Sequence, residues 1–159
     1  MRLAPLHDRF GVEILDVDVR RVRAGEMFAQ IRAAFEEHSL LLFRNQELDD
    51  SEHLRFGALF GPVEDRSMGA NGPDARMDNV TNRLADGTVA AADSLHTLNL
   101  TGNQLWHTDS TFLPVPALAN LLAARVLPSE GGETELVSTR VAWADMPPDL
   151  KARTEGALF

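Results

Sequence analysis

Gly102-Asn103-Gln104-Leu105-Trp106-His107-Thr108-Asp109-Ser110-Thr111-Phe112 decides the reading of this chain. Leu105 to Ser110 has the pattern of a strand, in which side chains alternate between faces. His107 and Asp109 then point the same way, about 7 Å apart along one face by strand rise. An imidazole nitrogen and a carboxylate oxygen so placed can converge on one metal ion. A non-haem Fe(II) site needs two histidines and one carboxylate on one side of an octahedron, the other side staying open. His-x-Asp is the local half of such a triad. As a bare three-position pattern it also describes a satisfied core or surface histidine, so the surrounding residues must decide.

Downstream of this stretch, Ala119 to Val126 is apolar, and periodicity alone allows a strand or a buried helix. Pro128 and Gly131-Gly132 mark a turn, and Glu133 to Val137 alternates like a strand. Ser138 or Thr139 can cap a short helix through Trp143. Pro147-Pro148-Asp149 opens a further helix. Upstream, Glu64 to Asn103 is rich in turn residues, with a short strand expected near Asn79 to Asn82. A loop-rich region of that length reads as a lid or binding loop, or as a tolerated surface insertion. Nearer the N-terminus, Val12, Ile14, Val17 and Val19 signal a strand with a phase slip near Leu15-Asp16. Gly25 to His38 reads as an amphipathic helix with Met27, Ile31, Ala34 and Phe35 at helical spacing. Leu40 to Phe43 is a short buried strand, and Arg44-Asn45-Gln46 a polar break. Asp49 and Glu52 have the spacing of a capping box for a helix over 50–60, which Gly61-Pro62 stops. Helices followed by strands and loops suggest an α+β protein built on an antiparallel sheet or barrel.

Composition narrows the function. The chain has 159 residues, 15 Lys and Arg against 24 Asp and Glu, a formal charge of −9, and no cysteine. Disulfides, thiolate zinc sites and iron–sulfur clusters are therefore excluded. An acidic chain is a poor default partner for nucleic acid or an anionic membrane. The longest apolar runs, such as Leu40-Leu41-Leu42-Phe43, span no bilayer. Met1 to Asp8 lacks the apolar core of a signal peptide, so a cytoplasmic protein is expected.

The stretch from Gly102 to Phe112 resembles the signature of the taurine dioxygenase and 2,4-dichlorophenoxyacetate dioxygenase family, which are Fe(II)- and 2-oxoglutarate-dependent enzymes. The likeness runs on through Pro114-Val115-Pro116 to Leu127-Pro128-Ser129-Glu130-Gly131-Gly132-Glu133-Thr134. It includes Leu40-Leu41-Leu42-Phe43-Arg44-Asn45-Gln46 and Phe56-Gly57-Ala58-Leu59-Phe60-Gly61-Pro62-Val63-Glu64, and it is weakest between Asp65 and Leu100. The resemblance implies a double-stranded β-helix, or jelly roll, with flanking helices. It implies His107 and Asp109 as the first two iron ligands. Thr134 matches a threonine that hydrogen-bonds the distal carboxylate of 2-oxoglutarate; its other reading is a threonine chosen for β propensity. Asn103 falls where taurine dioxygenase places a substrate-contacting asparagine, and equally suits a turn. Trp106 is expected to pack beside the site.

The implied reaction uses O2 and 2-oxoglutarate to hydroxylate a small acidic substrate, releasing succinate and CO2. The phenoxyacetate branch is the nearer one. Arg66, Ser67, Asn71 and Arg76 would offer the substrate polar and cationic groups, although Arg66 and Arg76 also fit solvated surface charge. Gly69 stands where the phenoxyacetate enzyme has a lysine, which puts the herbicide substrate in question.

The family also needs a second histidine ligand and a 2-oxoglutarate-binding arginine, both far downstream, in chains nearly twice this length. Of the remaining histidines, His38 ends a helix, His53 is expected exposed in a first helical turn, and His7 lies in a polar segment. His96, in the loop-rich region, is the one substitute. Residues 1–159 are therefore expected to be the N-terminal part of a single dioxygenase domain whose barrel they leave incomplete. The alternative is a non-catalytic half-barrel that binds a partner or forms a homo-oligomer through exposed strand edges.

Overall fold

The computed structural model describes residues 1–64, 77–111, 113–155 and 157. Arg66, Ser67, Gly69, Asn71 and Arg76, named above for the substrate, lie outside the described residues. The chain divides into two compact units, residues 1–59 with 123–159, and residues 60–122.

In the first unit, β1 (Leu3–Pro5) pairs antiparallel with β2 (Val12–Ile14), and β2 pairs parallel with β3 (Leu41–Leu42). The register sets Leu3 opposite Ile14 and Val12 opposite Leu41. The strand signal ends at the phase slip: past Leu15 the chain turns into a 3-10 turn, Val19–Arg21. Asp18 caps that turn by accepting from the Arg20 amide. Gly11 sits at φ 82°, and a Cβ there would stand 3.2 Å from Leu40 Cδ2, so glycine alone allows β2 to lie against the chain after α1. A parallel pair needs a crossover, and α1 (Glu26–His38) supplies it. Ser39 ends α1 in the left-handed conformation at φ 66°, its amide bonded to the Phe35 carbonyl.

The core of this unit gathers Val12, Ile14, Val17, Val19, Val22, Ile31, Ala34 and Phe56. Ile31 is fully buried, whereas Met27, also expected on the apolar face, is 40% exposed. Residues 40–43, expected to be buried, are only half-buried. The polar break has a structural task. Gln46 Oε1 accepts from the Val19 amide at 2.9 Å, while Nε2 donates to the Val17 carbonyl at 3.1 Å. α2 (Asp50–Gly57) starts at the expected capping box. Arg55 on α2 donates to the carbonyls of Val22 and Arg20, and Phe56 meets Phe43 edge-on at 5.8 Å. His53, expected exposed, is half-buried on this helix.

The later part of the same unit carries α3 (Thr139–Asp145), capped by Ser138, and α4 (Pro148–Thr154), opened by proline. Arg9 and Asp145 form a two-pronged ion pair, and Arg140 donates to the Glu36 carbonyl. Arg9 holds the Asp145 carboxyl below the usual aspartate range. Neither the strand or buried helix that periodicity allows over 119–126 nor the strand expected over 133–137 forms. Val126, Leu127, Leu136 and Val137 are all more than half exposed. A strand is defined by its ladder, and these segments have no paired neighbour among the described residues.

Among its described residues the second unit is loop-rich, with one helix, α5 (Leu95–Gly102). The strand expected at 79–82 is replaced by a single antiparallel bridge, Arg83 to Val89, around a tight turn. In that turn the hydroxyl and amide of Thr88 bind Asp86 and hold its carboxyl below the usual range. Among the described residues, no helix is long and apolar enough to cross a membrane.

Candidate metal centre

The approach to the His-x-Asp pair is built by α5. Ser94 caps it by accepting from the Thr97 amide, and Thr97 Oγ1 donates to the Ala91 carbonyl at 2.7 Å. At its other end the helix unwinds through successive turn bonds, from the amides of Asn103, Gln104 and Leu105 to the carbonyls of Leu100, Thr101 and Gly102. Asn103 is therefore the C-cap of a helix and is exposed. Residues 106–108 follow without regular structure, and a turn begins at Asp109. The strand expected over 105–110 is not formed, and among the described residues no strand pairs with it.

His107 Nε2 lies 3.3 Å from Asp109 Oδ1. Two neighbouring ligands, each about 2.1 Å from an octahedral ion, stand about 3 Å apart. The observed pair matches one edge of such an octahedron. His107 Nδ1 lies 2.6 Å from the Leu105 carbonyl oxygen. A carbonyl only accepts, so Nδ1 carries the proton and donates it. In the neutral ring Nε2 is then a lone pair facing a carboxylate oxygen. Either a proton on Nε2 or a cation between the two groups relieves that opposition. A backbone carbonyl on the remote ring nitrogen is also the usual way a metal-bound histidine is oriented. The side chains of His107 and Asp109 are 46% and 55% exposed, which leaves the ligand atoms accessible.

Two further contacts hold Asp109. Asn120 Nδ2 donates to Asp109 Oδ2. The following residue, Ser110, is buried at φ 61°, and its hydroxyl donates to Glu64 Oε2. Its carbonyl accepts from the Leu113 amide at 3.0 Å, closing the turn. Neither Asn120 nor Glu64 was expected from the sequence. The only signal for Asn120 is its polarity within the apolar run that begins at Ala117.

Among the described residues, no group of three or more His, Cys, Asp or Glu gathers. His96, the candidate substitute ligand, is exposed on α5 with Nε2 2.7 Å from the Thr81 carbonyl. Trp106, expected to pack beside the site, is 68% exposed. Thr134 belongs to the first unit, in an exposed irregular stretch after Gly131 and Gly132. Both glycines have φ above 70°, and a Cβ on Gly132 would stand 3.0 Å from Pro128 Cγ. The turn into Thr134 therefore requires glycine at that position.

The chain is similar to known proteins over nearly its whole length. The sequence family described as "Taurine catabolism dioxygenase TauD, TfdA family" matches residues 2–158, and the chain belongs to that family. The α-ketoglutarate-dependent 2,4-dichlorophenoxyacetate dioxygenase of Cupriavidus pinatubonensis is 33% identical over 157 residues, covering 96% of this chain and 55% of the relative. The (S)-phenoxypropionate/α-ketoglutarate dioxygenase of Sphingobium herbicidovorans is 33% identical over 156 residues, covering 96% of this chain and 50% of its own length. The crystal structure of AAD-2 in complex with Mn(II) and N-oxalylglycine superposes with a TM-score of 0.83 at 28% identity, over 98% of this chain and 54% of that one. The chain thus spans about half the length of the relatives it matches.

Proposed function

We propose that residues 1–159 are the N-terminal part of an Fe(II)- and 2-oxoglutarate-dependent dioxygenase. It would hydroxylate a small acidic organic substrate, with succinate and CO2 as co-products. In this reading the jelly roll is completed by strands beyond the described residues, which pair with 105–110, 119–126 and 133–137. His107 and Asp109 supply two of the iron's three protein ligands, and Thr134 donates to the distal carboxylate of 2-oxoglutarate. Asn103 contributes at the substrate. The observation that carries the proposal is the 3.3 Å approach of His107 Nε2 to Asp109 Oδ1, with Nδ1 already engaged on Leu105.

Bound Fe(II) supplies the activation of O2 and the oxidising power for hydroxylation. The chain's own residues do the placing. The Leu105 carbonyl keeps the proton on Nδ1, so Nε2 is free to ligate. Asp109 supplies negative charge, and the ligand side stays open. The Mn(II) and N-oxalylglycine held by AAD-2 stand in for Fe(II) and 2-oxoglutarate, which supports this reading. The substrate class rests on relatives whose names specify phenoxyalkanoates, and on an alkylsulfatase of Acinetobacter baylyi that is 30% identical. A phenoxyalkanoate and a sulfonate or sulfate ester share an anionic head on a small organic body.

The test is metal-dependent turnover in the protein that carries this chain. His107→Ala and Asp109→Ala should each abolish succinate release coupled to substrate oxidation, and both should weaken metal binding. Unchanged turnover in either variant overturns the ligand assignment. A binding or dimerisation module is the second reading, favoured by the exposure of Val126 (75%) and Leu127 (77%). It expects stable self-association or partner capture with no metal requirement.

A further inference from the structure

The Asp109 carboxylate has two oxygens, and they face different partners. Oδ1 faces His107 Nε2, and Oδ2 accepts from Asn120 Nδ2. Resting on the iron-site reading above, we infer that Asn120 is a positioning residue that restricts Asp109 to ligating through Oδ1 alone. A free carboxylate can bind a cation through one oxygen or through both. An amide N–H on Oδ2 takes up one of that oxygen's lone pairs and competes with two-oxygen binding, and it sets the rotation of the carboxylate plane. Single-oxygen ligation leaves one more coordination position for 2-oxoglutarate, substrate or O2.

The choice of amide matters. A lysine or arginine at this place would neutralise the charge that Asp109 offers a cation, whereas a neutral donor orients it and leaves it intact. Asn120 is exposed, so core packing does not account for an amide here. It interrupts an apolar run in which alanine and leucine surround it on both sides. The backbone of Asp109 is restrained separately, by the buried Ser110 turn and its hydrogen bond to Glu64. Ser110 and Glu64 place the residue, and Asn120 sets the carboxylate rotation.

The test measures Mn(II) affinity in the full protein from the electron paramagnetic resonance signal of free Mn(II), with no substrate or 2-oxoglutarate present. Partners of ligating carboxylates typically affect metal affinity 10–100-fold, so Asn120→Leu, close in volume and lacking the donor, should weaken Mn(II) binding by about that factor. Asn120→Ser keeps a hydroxyl donor and should recover part of the loss. With Co(II), Asn120→Leu should shift the intensity of the visible ligand-field bands, which follow coordination number. Wild-type affinity and spectrum in Asn120→Leu overturn the inference, as does an Asn120→Ser protein as weak as Asn120→Leu. Wild-type Mn(II) affinity in Asp109→Ala overturns instead the iron-site reading on which it rests.

Discussion

At Asp109 the backbone and the carboxylate are held by different partners, and the pairing with His107 follows from sequence spacing alone. Residues i and i+2 of a strand-like stretch share a side, and the sequence pattern pairs the two residues on that ground. That is why the His107–Asp109 pair was legible. Asn120 was not, because a contact across 11 residues depends on the path of the intervening loop, which carries no period. Thr134 is the residue whose role depends most on what surrounds it. If its hydroxyl donates to the distal carboxylate of 2-oxoglutarate, Thr134→Val keeps its shape and removes the donor. A hydrogen bond to a charged group is the stronger kind, so KM for 2-oxoglutarate should rise about tenfold or more. Mn(II) affinity without 2-oxoglutarate should stay unchanged. Steady-state kinetics and a metal titration on the same protein check both halves.

Among the elements, helices were more legible than strands. The α2 start follows from two residues three apart: Asp49 accepts from the Glu52 amide at 2.8 Å, and the Glu52 carboxylate accepts from the Asp49 amide at 3.0 Å. The Glu52 amide, followed by the Ser51 hydroxyl, holds the Asp49 carboxyl below the usual range. A lowered folded pKa means that the cap contributes fully above about pH 4, the ordinary aspartate value, and loses its contribution as pH falls below it. Amide exchange within α2 should therefore quicken relative to the rest of the first unit between about pH 4 and pH 2. Asn caps as well as Asp without titrating, so Asp49→Asn should flatten that dependence.

α1 was equally legible, since its 3.6-residue period marks Ile31 and Ala34 as inward. Ile31 is fully buried, and Ile31→Ala should cost about 2–5 kcal/mol in urea unfolding, because the cavity adds to the lost burial. α5 escaped the sequence reading. Its apolar residues, Leu95, Leu98 and Leu100, form no buried face, and Leu95 is 74% exposed. Only the Ser94 cap announced it. The segments read as strands at 105–110 and 133–137, and as strand or buried helix at 119–126, have no ladder among the described residues, because pairing is a property of two segments at once.

At the scale of the whole molecule, the chain covers about half of each relative it matches, and the iron site proposed for it has two protein ligands within that half. Two ligands bind a divalent ion weakly, and the 2-oxoglutarate arginine is expected downstream. The 159-residue chain alone should therefore release no measurable succinate from 2-oxoglutarate with Fe(II), ascorbate and substrate present. Succinate formation coupled to substrate oxidation by that chain would overturn the division of the site between two halves.

Sequence by itself determined the family, the His107–Asp109 pair and the helices α1 to α4. Each rests on local spacing, in which the partners lie within a few residues and one period describes them. Tertiary structure alone decided that Asn120 reaches Asp109, that Ser110 is buried on Glu64, and that Gln46 holds the backbone of Val17 and Val19. It also decided that the later strand-like segments have no paired neighbour among the described residues. These contacts join residues 11 to 46 positions apart, and their geometry is set by turns and by what packs against them.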